Sequence, residues 1–298
     1  MSRTVSPAFA FAVACLGMAI FCCMDAVMKG LSIAIGAYNA MLWRAIAGIP
    51  IAGLLFVVRR ERWPDARRLW LHTQRSCAAG ISVLLFFWGL VRVPMAQGVA
   101  LTFLAPLIAL YLAAAMLGES IRRAAIFGSL IASVGVFVIA LGQARSGAST
   151  DTLYGSGAIL IASVLYAWSL ILLRKQAQLA DPLEVTLFTS LVIGVVLLAG
   201  APWFSGLPAI AQLPTIGLAA VLGSFSAMML AWAYGRAEAQ VLAPVEYTAF
   251  VWSALFGWWV FGEQVSLYTV AGAGLIIAGC LAAIRGTAAP APQTEAAA

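Results

Sequence analysis

The stretch "APVEYTAFVWSALFGWWVFGE", residues 243–263, decides what kind of protein this is. Between Pro244 and Phe261 almost every residue is apolar or aromatic, and Glu246 is the exception. A helix of about 20 apolar residues, rising 1.5 Å per residue, spans the roughly 30 Å hydrocarbon core of a bilayer. The stretch therefore predicts a membrane helix that carries one carboxylate.

The rest of the chain is built in the same way. The sequence is 63% hydrophobic and only 9% charged, whereas soluble domains carry about 25% charged residues. Membrane strands would alternate apolar and polar residues over segments of about 10, and these runs are longer and do not alternate. We therefore predict an all-α integral membrane protein with ten transmembrane helices, at about 8–29, 38–58, 76–91, 95–117, 124–142, 154–173, 185–204, 213–235, 241–261 and 265–284.

The basic residues predict how the chain is oriented. If the N-terminus is cytoplasmic, nearly all of the 17 Lys and Arg residues lie on the cytoplasmic side, many of them in the arginine-rich loop 59–75. Only Lys29, Arg92 and Arg145 lie on the opposite side. Because cytoplasmic loops are enriched in Lys and Arg, this bias predicts a multi-pass protein of a bacterial-type inner (plasma) membrane with cytoplasmic N- and C-termini. It also accounts for the net charge of +6 without nucleic-acid binding.

The sequence repeats itself at a shift of 144 residues. The shift aligns Trp88 with Trp232, Arg92 with Arg236 and Gly118-Glu119 with Gly262-Glu263, and it matches the glycines 128, 135 and 142 with 272, 279 and 286. Each copy holds five helices, and an odd number makes the second copy enter the membrane from the opposite face. We expect residues 1–146 and 150–286 to be inverted repeats, a common transporter design, followed by a disordered cytoplasmic tail, 287–298.

Two segments carry a family resemblance. With "FLAPLIALYLAAAMLGE" (103–119) and "EYTAFVWSALFGWWVFGE" (246–263), the chain resembles the EamA type of the drug/metabolite transporter (DMT) superfamily over about residues 8–286. The resemblance implies a secondary transporter that exports small metabolites by alternating access. It implies a central cavity lined mainly by the third, fourth, eighth and ninth helices, with the first and sixth contributing. Overall similarity and the many Trp residues favour the aromatic amino-acid exporter (YddG-like) branch.

The ninth helix supplies the first candidate site residues. Glu246 is either a cavity carboxylate, which binds a substrate amine or a proton, or a structural partner of a cytoplasmic cation such as Arg236, Arg174 or Lys175. Tyr247 and Phe250 lie on one face of the helix and either stack on an aromatic substrate or pack between helices.

Further candidates come from the other predicted cavity helices. Thr102 and Phe103 align with Glu246 and Tyr247 in the repeat, and Pro106 is expected to kink their helix. Aromatic and amide side chains that are either cavity residues or packing and interfacial residues are Gln97, Trp88, Trp232, Tyr166 and Trp168.

Two charges occur in the first two helices. Asp25 and Arg44 are predicted to form an ion pair, with Lys29 one turn beyond Asp25; alternatively, Arg44 binds a substrate carboxylate. Arg44 and Glu246 are expected toward opposite leaflets, so that one substrate would not contact both. Glu119 and Glu263 are interpreted as caps of the fifth and tenth helices.

Enzymatic chemistry has no support in the sequence. The single histidine, His72, falls in a predicted loop, the five cysteines have no metal-type spacing, and neither a catalytic residue nor a cofactor or metal site is predicted. The expected partners are a small-molecule substrate and the lipid bilayer, with the chain as a monomer or homodimer. The alternatives to an amino-acid exporter are a transporter of other metabolites or drugs, a facilitative channel-like pore, and a membrane-embedded enzyme.

Overall fold

The computed structural model describes residues 7–58, 63–117, 123–147, 149–176, 179–180, 182–204, 206–234 and 239–284. Within these residues every regular element is a helix. The helices are α1 (Pro7–Ile35), α2 (Ala37–Val58), α3 (Ala66–Leu90), α4 (Met95–Thr102), α5 (Ala105–Leu117), α6 (Arg123–Arg145), α7 (Thr150–Gln176), α8 (Pro182–Phe204), α9 (Leu213–Tyr234), α10 (Ala239–Phe261) and α11 (Leu267–Ile284), with a short 3-10 helix at Ile210–Gln212. The predicted roles of Glu119 and Arg236 and the tail 287–298 lie outside the described residues.

The helix count is compatible with the ten predicted segments, because α4 and α5 are two parts of one. By length and composition, six segments of the described chain are able to cross a membrane, and one of them, Met95–Met116, includes both helices. Large apolar side chains are exposed on the outer helices, for example Phe127 and Phe137 of α6. Such a surface is suited to lipid rather than to water.

The predicted kink at Pro106 is a complete break between α4 and α5. Proline has no N–H to donate to the carbonyl of Thr102, four residues earlier, and the helix stops at that residue. The N–H groups of Phe103 and Leu104 instead donate to carbonyls three residues back, both at 3.3 Å. The break turns the Thr102 and Phe103 side chains toward the centre of the bundle.

The third helix differs from the prediction. It begins at Ala66 rather than near residue 76, so most of the predicted loop 59–75 that the structure describes is helical. Asp65 caps its first turn by accepting a hydrogen bond from the Arg68 N–H at 2.9 Å. Two of the polar residues that suggested a loop, His72 and Arg75, are buried, and residues of α8 hydrogen-bond them.

Close backbone contacts hold pairs of helices together. A Cβ atom on Gly135 of α6 would lie 2.5 Å from the Gly272 carbonyl oxygen of α11, and one on Gly89 of α3 would lie 2.5 Å from that of Gly155 in α7. The repeated glycines at 135 and 272 therefore serve a contact within the chain. Around these pairs α1 packs on α9 and α10, α2 on α8 and α9, and α7 on α4 and α5.

Candidate functional site

A cavity lies among the helices near the middle of the bundle. It is lined by residues of α1, α2, α3, α4, α7 and α10, together with Phe103 at the helix break. Its volume is about 120 Å³, below the range of about 300–1,000 Å³ for pockets that take drug-sized ligands. The resemblance implied that the eighth predicted segment, which is α9, lines the cavity. No described residue of α9 does so, whereas α2, which was not implied, contributes Arg44.

Two carboxyl groups and one guanidinium share this cavity. Asp25 of α1, Arg44 of α2 and Glu246 of α10 all line it, and Asp25 interacts electrostatically with Arg44. Cys22 lines the same cavity, and its thiol donates to the Ala249 carbonyl at 3.7 Å. Arg44 and Glu246, which were expected toward opposite leaflets, both line this cavity, because α1 packs against both α2 and α10.

The hydroxyl groups of the cavity present acceptors. Ser82 donates its hydrogen to the Ala162 carbonyl at 2.7 Å, Thr102 to that of Val99 at 2.7 Å, and Ser163 to that of Ile159 at 2.9 Å. A hydroxyl whose hydrogen is used in this way retains oxygen lone pairs that can accept from a ligand. With the two carboxylates, these oxygens make the cavity rich in acceptors, and they suit a ligand that carries an ammonium group.

The remaining wall is aromatic and aliphatic. Phe21, Phe86 and Phe87 line the cavity together with Phe103 and Tyr166. Phe87 packs edge-to-face on Phe86 at a centroid distance of 5.2 Å, and both Phe87 and Phe103 are almost fully buried. Rings held by packing in this way form a preformed apolar surface for a ligand.

The eleven predicted site residues fall into two groups. The structure brings five of them to the cavity: Arg44, Thr102, Phe103, Tyr166 and Glu246. It places the other six elsewhere: Trp88, Gln97, Trp168, Trp232, Tyr247 and Phe250.

The surroundings of these six differ. Trp88 and Trp168 are 38% and 43% exposed on the bundle surface, and the guanidinium of Arg92 lies 3.6 Å from the Trp88 ring centroid. Gln97 is buried and donates to Ser156 at 3.3 Å. Tyr247, Phe250 and Trp232 pack on the apolar core, where Tyr247 meets Phe103 edge-to-face at 5.4 Å.

Several cavity residues were not predicted as site residues. Asp25 was interpreted only as half of an ion pair, although its charge in a membrane helix is itself a signal of function. Ser82 and Ser163 are single hydroxyls in apolar helices, and Phe86 and Phe87 are two rings among many. Nothing local in the sequence separates these two serines and two phenylalanines from others of their type.

A buried ion pair joins three segments near one end of the bundle. Lys29 of α1 pairs with Glu263, which follows α10, and donates to the Val93 carbonyl at 2.8 Å. Glu263 accepts in turn from the Met95 N–H at 2.6 Å. We call Lys29, Val93, Met95 and Glu263 the Lys29 cluster.

The Lys29 cluster corrects two expectations. Lys29 pairs with Glu263 rather than with Asp25. Glu263 hydrogen-bonds the first turn of α4 instead of capping the tenth transmembrane helix, α11, because the chain after α10 turns back over the start of α4.

A second buried polar group lies near the opposite end of the bundle. His72 of α3 hydrogen-bonds Glu184 of α8 at 2.8 Å and also Gln176 at the end of α7. The Phe188 ring stacks on the His72 ring at a centroid distance of 4.9 Å. We call His72, Gln176, Glu184 and Phe188 the His72 cluster; it holds α3, α7 and α8 together and explains why residues 66–75 are helical.

The described residues contain no group of three or more His, Cys, Asp or Glu side chains arranged to hold a metal ion. All five cysteines are free thiols, and Cys22 and Cys280 are buried. The cavity thus offers charge, hydrogen-bond acceptors and apolar surface to a ligand, the features of a binding site.

Comparisons with known proteins agree on one family. The model of the EamA-like transporter family matches residues 2–141 and again 153–285. The chain is 23% identical to the pseudopaline exporter CntI of Pseudomonas aeruginosa, over 89% of this chain and 92% of that protein. It is 24% identical to an S-adenosylmethionine uptake transporter of Rickettsia prowazekii, over 70% of each. A solved crystal structure shares its fold with a TM-score of 0.60 at 20% identity, over 94% of this chain and 98% of that one.

Proposed function

This chain belongs to the EamA-like transporter family, and we propose that it is a secondary transporter that exports small amphipathic metabolites, with aromatic amino acids as the first candidates. It is a multi-pass membrane protein, as its apolar helices and its family indicate. One relative is an exporter and another an uptake transporter, so the direction of export is part of the proposal.

The observation that carries the proposal is the charge pattern of the cavity. Arg44 offers a cation to a substrate carboxylate, and Asp25, Glu246 and the cavity hydroxyls offer acceptors to a substrate ammonium. Phe86, Phe87 and Phe103 supply an apolar surface for a ring. A zwitterion with an aromatic side chain matches all three features, and the small volume of the cavity favours a metabolite over a drug-sized molecule.

The alternating-access part of the proposal rests on a repeat. The two ranges matched by the family model, 2–141 and 153–285, support two copies of one unit. In the repeat, α1 corresponds to α7, α3 to α9, and α4 with α5 to α10. The helix contacts follow this correspondence: α1 packs on α9 as α7 packs on α3, and α1 packs on α10 as α7 packs on α4 and α5. This pattern supports inverted repeats, which would let the cavity open alternately to each face. Cytoplasmic termini in a bacterial-type inner membrane remain part of the proposal.

Flux measurements test the substrate. We expect liposomes that contain the purified protein to take up labelled phenylalanine and tryptophan with saturation, because the cavity holds a limited site. A channel-like pore would instead give flux that does not saturate. Competition by phenethylamine, which lacks the carboxylate, and by N-acetylphenylalanine, which lacks the ammonium, separates the contributions of Arg44 from those of the acceptors.

The role of Glu246 is tested in the same assay. Glu246→Gln should lower phenylalanine flux by about tenfold or more, since one charged hydrogen bond to substrate contributes about 1.5–3 kcal/mol, while the amount of folded protein stays near that of the wild type. Asp151→Asn, which removes an exposed carboxylate, is the matched control. Unchanged flux in Glu246→Gln would return Glu246 to a structural role. An absence of flux in the folded wild type would reject the aromatic substrates but not the transporter family.

A further inference from the structure

We propose that the Lys29 cluster is a latch that seals the cavity at the end of the bundle formed by the turn 91–94 and opens when Lys29 and Glu263 separate. The cluster joins three segments that are distant in sequence: α1, the turn before α4, and the chain after α10. The inference rests on the proposed alternating access but not on any particular substrate.

The latch lies directly above the cavity along α1. Lys29 is one helical turn after Asp25, which lines the cavity. Met24 and Phe87, which also line it, belong to the same buried apolar cluster as Met28, Leu90 and Met95. Because Met95 itself donates to Glu263, this apolar layer and the ion pair form one continuous closure between the cavity and the end of the bundle.

The closure depends on few bonds, and those bonds involve chain outside the helices. Val93 lies in the turn after α3, and Glu263 follows Gly262, whose φ of 65° ends α10. The Lys29 side chain is 3% exposed and that of Glu263 is 17% exposed, so Glu263 is already at the edge of the closure. Near a bundle end, separated charges can be hydrated, which a pair in the middle of the bilayer could not be.

Gly257 shapes the latch from one side. A Cβ atom at this position would lie 2.6 Å from the Glu263 Oε2 atom and 3.3 Å from the Met95 Cβ atom. A glycine here leaves room for the carboxylate to approach Met95. Gly257→Ala therefore disturbs the latch without removing either charge.

The native Cys22 thiol reports whether the latch opens. Cys22 is fully buried and lines the cavity, so a membrane-impermeant maleimide added only at the latch side can reach it once that side opens. The experiment uses the full chain in liposomes with Cys15, Cys23, Cys77 and Cys280 replaced by alanine. A separate Asp151→Cys protein calibrates orientation, because residue 151 is exposed at the same end as the latch.

The double variant Lys29→Met/Glu263→Gln removes both charges and leaves neither unpaired. We expect it to raise the rate of Cys22 labelling from the latch side by about tenfold or more, as for a shift from a minor open state of roughly 0.1–10% to a major one. Gly257→Ala should raise it in the same direction. Asp151→Asn, which breaks the exposed ion pair with Arg92 at the same end, should leave it unchanged.

Labelling no faster than in the wild type, in a double variant that is monodisperse and folded, would overturn the latch. If the double variant does not fold, Gly257→Ala decides in the same way, since it disturbs the latch but keeps both charges. Labelling needs no substrate, so faster labelling without amino-acid flux would count against the proposed substrate and not against the latch.

Discussion

The Lys29 cluster and the His72 cluster are both buried and polar, but they are built differently. The Lys29 cluster depends on one ion pair and two hydrogen bonds to backbone groups, with its acceptor carboxylate beyond the end of a helix. The His72 cluster is held by side chains of α3, α7 and α8, and a stacked ring covers it. No member of either cluster lines the cavity, but Lys29 lies one helical turn from the cavity residue Asp25.

The difference indicates two uses for buried polar groups in one bundle. Side-chain hydrogen bonds that join three helices beneath a stacked ring hold those helices in a fixed arrangement. The Lys29–Glu263 ion pair can separate with the loss of only three polar contacts: the pair itself and the hydrogen bonds to Val93 and Met95. We therefore expect the His72 cluster to contribute to stability and the Lys29 cluster to control access to the cavity.

The largest expected effect is at Glu184. Glu184→Ala removes the carboxylate that hydrogen-bonds His72 and leaves a buried ring without this partner. We expect a loss of about 3 kcal/mol in the free energy of unfolding, the lower end for breaking a buried pair, seen as a lower thermal unfolding temperature in detergent. The protein that does fold should keep the wild-type KM, because the cluster does not contact the cavity.

Arg68→Ala is the matched control for Glu184. Its guanidinium lies 3.9 Å from the same carboxylate but is 44% exposed, so the loss should stay below about 1 kcal/mol. A changed KM or faster Cys22 labelling in Glu184→Ala would remove the distinction between the two clusters.

A smaller effect is expected where α3 meets α7, beside the latch. A Cβ atom on Gly89 would lie 2.5 Å from the Gly155 carbonyl oxygen and 2.7 Å from Ile159 Cγ1, so Gly89→Ala must push the two helices apart. Overpacking of this kind costs about 1–3 kcal/mol, measurable by thermal unfolding. Gly157→Ala on α7, whose Cβ would meet nothing within 4 Å, should not destabilise the protein; equal losses in both variants would argue against a tight α3–α7 contact.

The smallest effect is expected for the exposed pair at the latch end. Arg92 Nε lies 3.0 Å from Asp151 Oδ1, and the Asp151 side chain is 68% exposed. Asp151→Asn should lower the free energy of unfolding by less than about 1 kcal/mol, because water screens such pairs. A loss as large as that of Glu184→Ala would show that exposure does not distinguish the ion pairs of this protein.

The sequence pointed to some of the residues that line the cavity because their signal is local. Pro106 lacks an N–H wherever it stands, so the helix break beside Thr102 and Phe103 follows from the residue type. Glu246 is conspicuous because a carboxylate is rare in an apolar run. Trp88 was a candidate because it aligns with Trp232 in the repeat, and Trp168 because of its residue type, but the bundle leaves both on its surface.

By itself, the sequence determined that the chain is a helical membrane protein, approximately where its segments lie, and which family it resembles. These properties follow from hydropathy and residue type, which act over a single helix. Only the tertiary structure decided that Asp25, Arg44 and Glu246 share one cavity, that Lys29 pairs with Glu263, and that His72 is buried against Glu184. The reason is physical: burial makes a charge or polar group need a partner, but which partner it meets depends on how helices distant in sequence pack, and no periodicity along the chain encodes that packing.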